Sequence, residues 1–124
     1  KKKKIAKPLL LISGDETTVK IKGNGKGGRN QEFALHLGNQ LKKEIPDQKF
    51  TLLSIGTDGR DGPTDAAGAL IDQNFMDLIR KNKINLKKEL ENNNSYHVLQ
   101  KIKSLVIMKG TNTNVADIQM LALL

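Results

Sequence analysis

Apolar positions along the chain change period several times, and each change predicts an element. Lys7-Pro8-Leu9-Leu10-Leu11-Ile12 reads as a strand, and Thr17-Thr18-Val19-Lys20-Ile21-Lys22 alternates with the period of two expected of a second. Ser13-Gly14-Asp15-Glu16 between them has turn chemistry, so the pair predicts an N-terminal β-hairpin. Phe33, Leu37 and Leu41 recur every four residues and predict a helix from about Arg29 to Glu44. The near-continuous apolar run Phe50 to Ile55 predicts a buried strand. Ala66 to Ile71 fits a short strand or a helical turn, and Phe75 to Lys81 a helix. Asn92-Asn93-Asn94-Ser95 offers several caps for a helix from about Tyr96 to Lys103. Leu105 to Met108 predicts another buried strand, and Ile118 to Leu124 a closing one.

Strands and helices alternating behind an opening hairpin predict an α/β fold: a three-layer α/β/α sandwich on a mixed sheet. The boundaries expected are a basic lead-in over residues 1–8 and a single domain over 9–124. Ligands in such folds gather at loops leaving the carboxyl ends of strands, here 23–30, 56–65 and 109–114.

Composition changes this picture little. With 37% apolar residues and 11 glycines in 124, the chain is globular rather than disordered. The absence of cysteine excludes disulfides and thiolate metal sites and makes a reducing cytoplasm the expected compartment. No apolar run reaches the roughly 20 residues that cross a bilayer, so a soluble protein is expected, with no membrane partner. The opening Lys, in place of Met, and the four-lysine run leading into a strand predict a chain that begins partway through a larger protein.

The net charge of +8 raises nucleic acid as a partner, but Lys1 to Lys4 carry half of it and three Phe with one Tyr leave little for base stacking. Scattered lysine predicts a solvated surface and no nucleic-acid partner. Arginine is confined to positions 29, 60 and 80, and two of these stand in glycine-rich loops, where a guanidinium fork suits bidentate oxyanion recognition.

Three loops carry candidate chemistry. Gly23-Asn24-Gly25-Lys26-Gly27-Gly28-Arg29-Asn30 brings glycines, whose backbone can approach an anion closely, to a helix N-terminus, with Lys26 and Arg29 adding full charge. A flexible connection with surface cations fits the glycines equally well. Gly23, Gly25 and Gly28 formally satisfy the dinucleotide spacing, yet the segment before them alternates like a half-exposed strand and no acidic ribose partner follows. In Gly56-Thr57-Asp58-Gly59-Arg60-Asp61-Gly62-Pro63-Thr64-Asp65, three carboxylates flank an arginine, a set able to hold Mg²⁺ beside phosphates or to accept a hydroxyl proton. Thr111 to Asn114 can donate hydroxyl and amide hydrogens to a ligand or satisfy its own backbone. His36 and His97 have no second metal ligand at helical spacing, and no triad series is present.

Taken together, Ser13 to Val19, Gly27-Gly28-Arg29-Asn30-Gln31-Glu32, Gly56 to Ala69 and Thr113-Asn114-Val115 resemble, in order and spacing, the MOFRL domain, the C-terminal part of two-domain glycerate 2-kinases, many formerly labelled hydroxypyruvate reductases. The resemblance runs from about Leu10 to the last residue. It implies ATP- and Mg²⁺-dependent phosphorylation of D-glycerate in a cleft shared with a larger Rossmann-like N-terminal domain. On this reading Arg29, Asp58 and Asp61 are the catalytic candidates, with Asp58 and Asp61 the metal ligands. Lys26, Gly27, Gly28, Asn30, Arg60, Thr64, Thr113 and Asn114 are the substrate- or phosphate-binding candidates. The chain departs from the family pattern at Asp15, usually Gly; at Asn94, generally Asp; at Lys109-Gly110-Thr111-Asn112, for Gly-Pro-Thr-Gly; and at Ala116, for Asn. The competing expectations are a dinucleotide-dependent reductase domain and a non-catalytic basic binding module.

Overall fold

The computed structural model describes residues 7–124, so the Lys1–Lys4 run lies outside the described residues. The elements are β1 (Leu9–Ser13), α1 (Arg29–Glu44), β2 (Phe50–Gly56), β3 (Ala66–Asp72), α2 (Phe75–Lys81), α3 (Leu86–Glu91), α4 (Ser95–Lys101), β4 (Leu105–Ile107) and β5 (Asp117–Leu123). They form an α/β fold around a five-stranded sheet of order β1-β5-β2-β3-β4. Every strand pair in it is antiparallel. The mixed sheet expected from alternating elements is thereby corrected: β5 returns between β1 and β2, and no βαβ crossover places two neighbours parallel.

Register explains the core. Phe50, Leu52 and Ser54 of β2 pair with Leu123, Leu121 and Gln119 of β5, and Leu52 and Ser54 pair with Ile71 and Ala69 of β3, so these side chains share one face. Ala34 and Leu35 of α1, Phe75 and Ile79 of α2, Leu86 and Leu90 of α3, and Val98 and Leu99 of α4 join them in one cluster. At Gly38 a Cβ would run into Ile71 and Phe75, so α1 lies close against β3 and α2 only because that position is bare. Lys42 and Lys43 in the last turn of α1 complement its dipole.

All four helices therefore lie on one face, and the third layer expected from sequence is absent among the described residues. Among the described residues no helix covers the opposite face, which carries Leu10, Ile12, Leu53, Leu70 and Met120. The expected hairpin is also absent: residues 17–22 form no strand, and β1 pairs instead with β5, more than a hundred residues later. Leu105–Ile107 is half-exposed at the sheet edge rather than buried. Helix α3 was unforeseen; Asn85 caps it by accepting from the Lys88 amide, and Leu86 and Leu90 bury one face.

Candidate functional site

The carboxyl ends of β1 and β2, the amino ends of β3 and β5, and the first turn of α1 meet at one end of the sheet. The expected loops gather there because the antiparallel order brings them together. Arg29 opens α1, and its Nε donates to Asp117 Oδ2 at 2.7 Å while Nη2 donates to Oδ1 at 2.9 Å. Glu16, just after β1, lies 3.4 Å from Nη2. The Asp117 side chain is wholly buried and that of Arg29 is 34% exposed, so the guanidinium is gripped from behind and presented at the surface. Nη1 has no partner among the described residues. Burial pushes the Asp117 carboxyl up, but hydrogen bonds from Arg29 and Asn30 and the Arg29 charge outweigh it and hold the group below its usual range. The hydrogen bond to Asp117 raises the Arg29 pKa, against desolvation.

Asp61 is placed differently from expectation. It is 2% exposed. Its Oδ1 accepts from the Asn30 amide at 3.0 Å, and Oδ2 accepts from the Gln31 amide at 2.9 Å. The Asn30 side-chain amide donates to Oδ1 as well. The carboxylate thus caps α1 from another loop, at the end where Gly28 itself supplies no side-chain cap. Both oxygens of Asp61, expected as a metal ligand, thus face the first turn of α1, and the protein's own carboxylate sits at the helix N-terminus expected to receive a substrate anion. Asn30 is buried with Asp61; its Oδ1 accepts from Ser54 Oγ at 2.7 Å, so it too is turned inward.

The glycine loop is likewise engaged. Lys22 and Gly23 amides donate to Asn93 Oδ1, Asn24 to Asn92 Oδ1, Gly25 to the Asn92 carbonyl and Lys26 to Asn94 Oδ1. The asparagine tract, expected to cap α4, instead pins the loop; Asn94 is the residue before α4 but makes no side-chain cap bond. Gly27 and Gly28 fit because a Cβ would strike Ser95 Oγ and Asp61 respectively. The Lys26 ammonium lies 4.2 Å from the centroid of the Tyr96 ring, a cation–π contact, and the Tyr96 hydroxyl donates to Asp65. Asn93 in turn donates to the carboxylate of Glu32. Burial pushes the Glu32 carboxyl above its usual range, although Asn93 and nearby His36 favour its charged form.

The aspartate loop is braced in several places. Thr64 Oγ1 donates to the Asp61 carbonyl and accepts from Gln31, which makes it a fastening rather than an open donor. Thr57 Oγ1 donates to the Ala116 carbonyl and accepts from the Val115 amide, while Thr111 donates to the Thr57 carbonyl, tying the second and third loops together. Asp58 accepts from the Arg60 amide through Oδ1 and is only partly buried. Arg60, Thr113 and Asn114 are exposed on the same rim, with Asn114 Oδ1 accepting from the Ala116 amide. Among the described residues no three His, Cys, Asp or Glu side chains gather as a metal site. A cleft of about 600 Å³ runs beneath residues 17–22 past Glu32 and His36, and one of about 180 Å³ lies under Gly25 to Gly28 and Pro63. Arg29 borders both.

The family departures have local reasons. Asn94 Nδ2 donates to Glu89 at 2.6 Å, where an Asp would set two carboxylates together. Asn112 has φ 59°, and Asn is the non-glycine residue that best tolerates the left-handed region where the family has Gly. Sequence reasoning missed Asp117, Glu16, Glu32 and Asn93; no local signal marks Asp117, whose partner is 88 residues away.

The open antiparallel sheet, its single helical layer and this loop rim define an α/β domain built to present polar loops at one end. The chain belongs to the MOFRL family, whose model matches residues 9–117. It is similar to D-glycerate 2-kinase of Thermotoga maritima, 43% identical over 118 residues that cover 95% of this chain and 28% of the relative. It is 38% identical to glycerate kinase of Mus musculus over 120 residues, covering 94% of this chain and 23% of that protein. The crystal structure of the Thermotoga maritima glycerate kinase superposes with a TM-score of 0.88 at 42% identity, over 95% of this chain and 28% of that one. The chain thus spans about a quarter of the length of the curated relatives it matches. Among the described residues no helix is long and apolar enough to cross a membrane.

Proposed function

We propose that this chain is the C-terminal domain of an ATP-dependent glycerate 2-kinase, and that the rim bearing Arg29, Asp58 and Arg60 is one wall of an interdomain phosphoryl-transfer site. The observation that carries the reading is the Arg29–Asp117 pair: a guanidinium fixed from the buried side, with its free edge at the junction of two clefts. Such a group holds a phosphate or carboxylate without reorganising as charge moves, which is how phosphoryl transfer is assisted. The larger domain supplied by the rest of the polypeptide closes the site, and the setting proposed for it is the cytoplasm, with which a cysteine-free chain is compatible.

Asp58 Oδ2 has no hydrogen-bond partner among the described residues and can lend one oxygen to Mg²⁺, which commonly takes one or two protein carboxylates and completes its shell with phosphates and water. When bound, that ion would neutralise charge on the transferring phosphate. Asp61 and Asn30 act by positioning α1 and so Arg29, and Thr113 and Asn114 stand on the rim as polar contacts. The reductase alternative has less support, because a dinucleotide pyrophosphate would need the loop amides and helix end that Asn92–Asn94 and Asp61 occupy.

The test is steady-state kinetics in the full-length protein. Arg29→Lys keeps the charge and loses the fork; kcat/KM should fall ten- to a hundred-fold, about 1.5–3 kcal/mol of transition-state stabilisation, and Arg29→Ala should fall further. The 124 residues alone should phosphorylate no glycerate. Unchanged kinetics in both variants would remove Arg29 from the site.

A further inference from the structure

The two clefts that meet at Arg29 differ in size and in chemistry. The one beneath residues 17–22 holds about 600 Å³, inside the range of roughly 300–1,000 Å³ typical of sites for cofactor-sized ligands, whereas the one under Gly25 to Gly28 holds about 180 Å³. The larger cleft is also long. It is bordered by α1 from Arg29 in the first turn to Lys43 in the last, about 21 Å apart along the helix axis. Lys20 and Lys22 from the covering segment and Lys87 from α3 join them, so five cations line the cleft against two carboxylates, Glu32 and Glu91. Of these carboxylates Glu32 is already engaged by Asn93. Val19, Phe33 and Leu90 add an apolar wall. One atom of the lining lacks an explanation within the chain: Thr17 Oγ1 is buried and has no hydrogen-bond partner among the described residues. The Thr17 amide donates to Asp117 Oδ2, the oxygen that also accepts from Arg29 Nε, so the hydroxyl belongs to the Arg29 end of the cleft. A buried hydroxyl is costly when unpaired, and an oxyanion seated against Arg29 would accept from it.

We propose that the larger cleft seats the nucleoside triphosphate, with its phosphates toward Arg29 and Thr17 and its nucleoside against Phe33 and Leu90, and that the smaller cleft is left to the three-carbon acid. The inference rests on the reading of the chain as part of a glycerate kinase, and adds to it the division of the two substrates about Arg29. Size and shape make that division. A groove that runs the length of α1 with cations along it matches an extended polyanion; glycerate would fill one corner and leave the lysines without a partner. A nucleotide, in turn, exceeds the smaller cleft. Lysine serves phosphates as a point charge on a flexible stem, which suits a chain of them, while the single fork of Arg29 stands where the two clefts join. Phe33 follows Arg29 by one helical turn and is only partly buried, so a ring lies beside the phosphate end for the nucleoside to pack against.

The test is nucleotide binding by the full-length enzyme, measured by calorimetry with ADP and Mg²⁺, alongside separate KM values for ATP and for glycerate. Lys22→Glu combined with Lys87→Glu reverses two exposed side chains of the cleft, one on the covering segment and one on α3. Lys49→Glu combined with Lys81→Glu makes the same change of charge at exposed positions outside it. The cleft pair should weaken ADP binding and raise the KM for ATP at least about ten-fold, with the KM for glycerate within about two-fold, and the reference pair should move each value less than about two-fold. Asn39→Trp, which crowds the cleft without changing its charge, should act as the cleft pair does. Equal effects of the two lysine pairs, or a rise confined to the KM for glycerate, would overturn the proposal. So would a cleft pair and an Asn39→Trp variant that both bind ADP like the parent; if the enzyme still phosphorylates glycerate and loses activity on Arg29→Lys, the kinase reading stands and only this division of substrates falls. A full-length parent that neither binds ADP nor phosphorylates glycerate removes the kinase reading, and this proposal with it.

Discussion

Ala116 has φ 68°, a left-handed conformation that costs an L-residue with a Cβ about 1–2 kcal/mol, and its carbonyl and amide are bonded to Thr57 and Asn114, so it cannot relax alone. Ala116→Gly should stabilise the protein by about 0.5–1 kcal/mol after the entropy that glycine adds to the unfolded chain, and Ala116→Asn, the family residue, by a smaller amount. Thermal unfolding checks both; a lowered midpoint for Gly would show that the conformation carries no penalty. Glu32 gives a prediction of the opposite chemical kind. Its folded pKa lies above the unfolded value, so the charged form is disfavoured by folding, and its cost appears as pH rises through that interval. Glu32→Gln should therefore gain stability relative to the parent at pH 7.5 and lose that advantage near pH 4, where both side chains are neutral. Asp117 has the reverse sign: its depressed pKa adds stability above the unfolded carboxylate value, and this is lost as pH falls through the folded one. Midpoints measured across pH for Glu32→Gln test the sign; an advantage confined to acid would contradict it.

Among the elements, helix α1 was legible to its boundaries from the spacing of Phe33, Leu37 and Leu41 and the glycine loop before it, although the face it buries carries Ala34, Leu35 and Gly38 while those three are only partly buried. The β2 run was legible as a strand, and β5 as its approximate span. What could not be read was which strands pair. Residues 17–22 lie over Asn93 and the cleft with Val19 half-buried but Ile21 78% exposed, so their alternation does not follow burial and the segment never enters a ladder. Site residues divide in the same way. The sequence places Asp58 and Arg60 on a loop and Arg29 where a glycine loop meets α1, as found, but a carboxylate in a glycine-rich loop reads identically whether it faces water or caps a helix. Asp61 and Asp58 separate on this point. Asp61→Asn replaces an acceptor with a donor opposite the α1 amides and should cost about 1–3 kcal/mol, a few degrees of melting temperature. Asp58→Asn keeps an acceptor for the Arg60 amide and should change stability by under about 0.5 kcal/mol while lowering activity of the full-length enzyme. Equal melting losses for the two would erase the distinction.

At the scale of the whole molecule, the rim is held by contacts between segments that are far apart in sequence: Arg29 with Asp117, Thr57 with Ala116, Thr17 with Asp117. The order β1-β5-β2 has a consequence for how the domain is made. Strand β5 follows β1 to β4 in the chain yet lies between β1 and β2 in the sheet, so until it is made β1 lacks the ladder partner it has in the fold and β2 has only β3. Loop closure over such separations is slow, and unpaired apolar strands are prone to adventitious pairing while they wait. Until residues 117–123 leave the ribosome, β2, β3 and β4 can pair as they do in the fold while β1 waits for β5. Arg29 lacks its buried counter-charge at that stage, so the rim takes its form only when Asp117 arrives from 88 residues further along the chain.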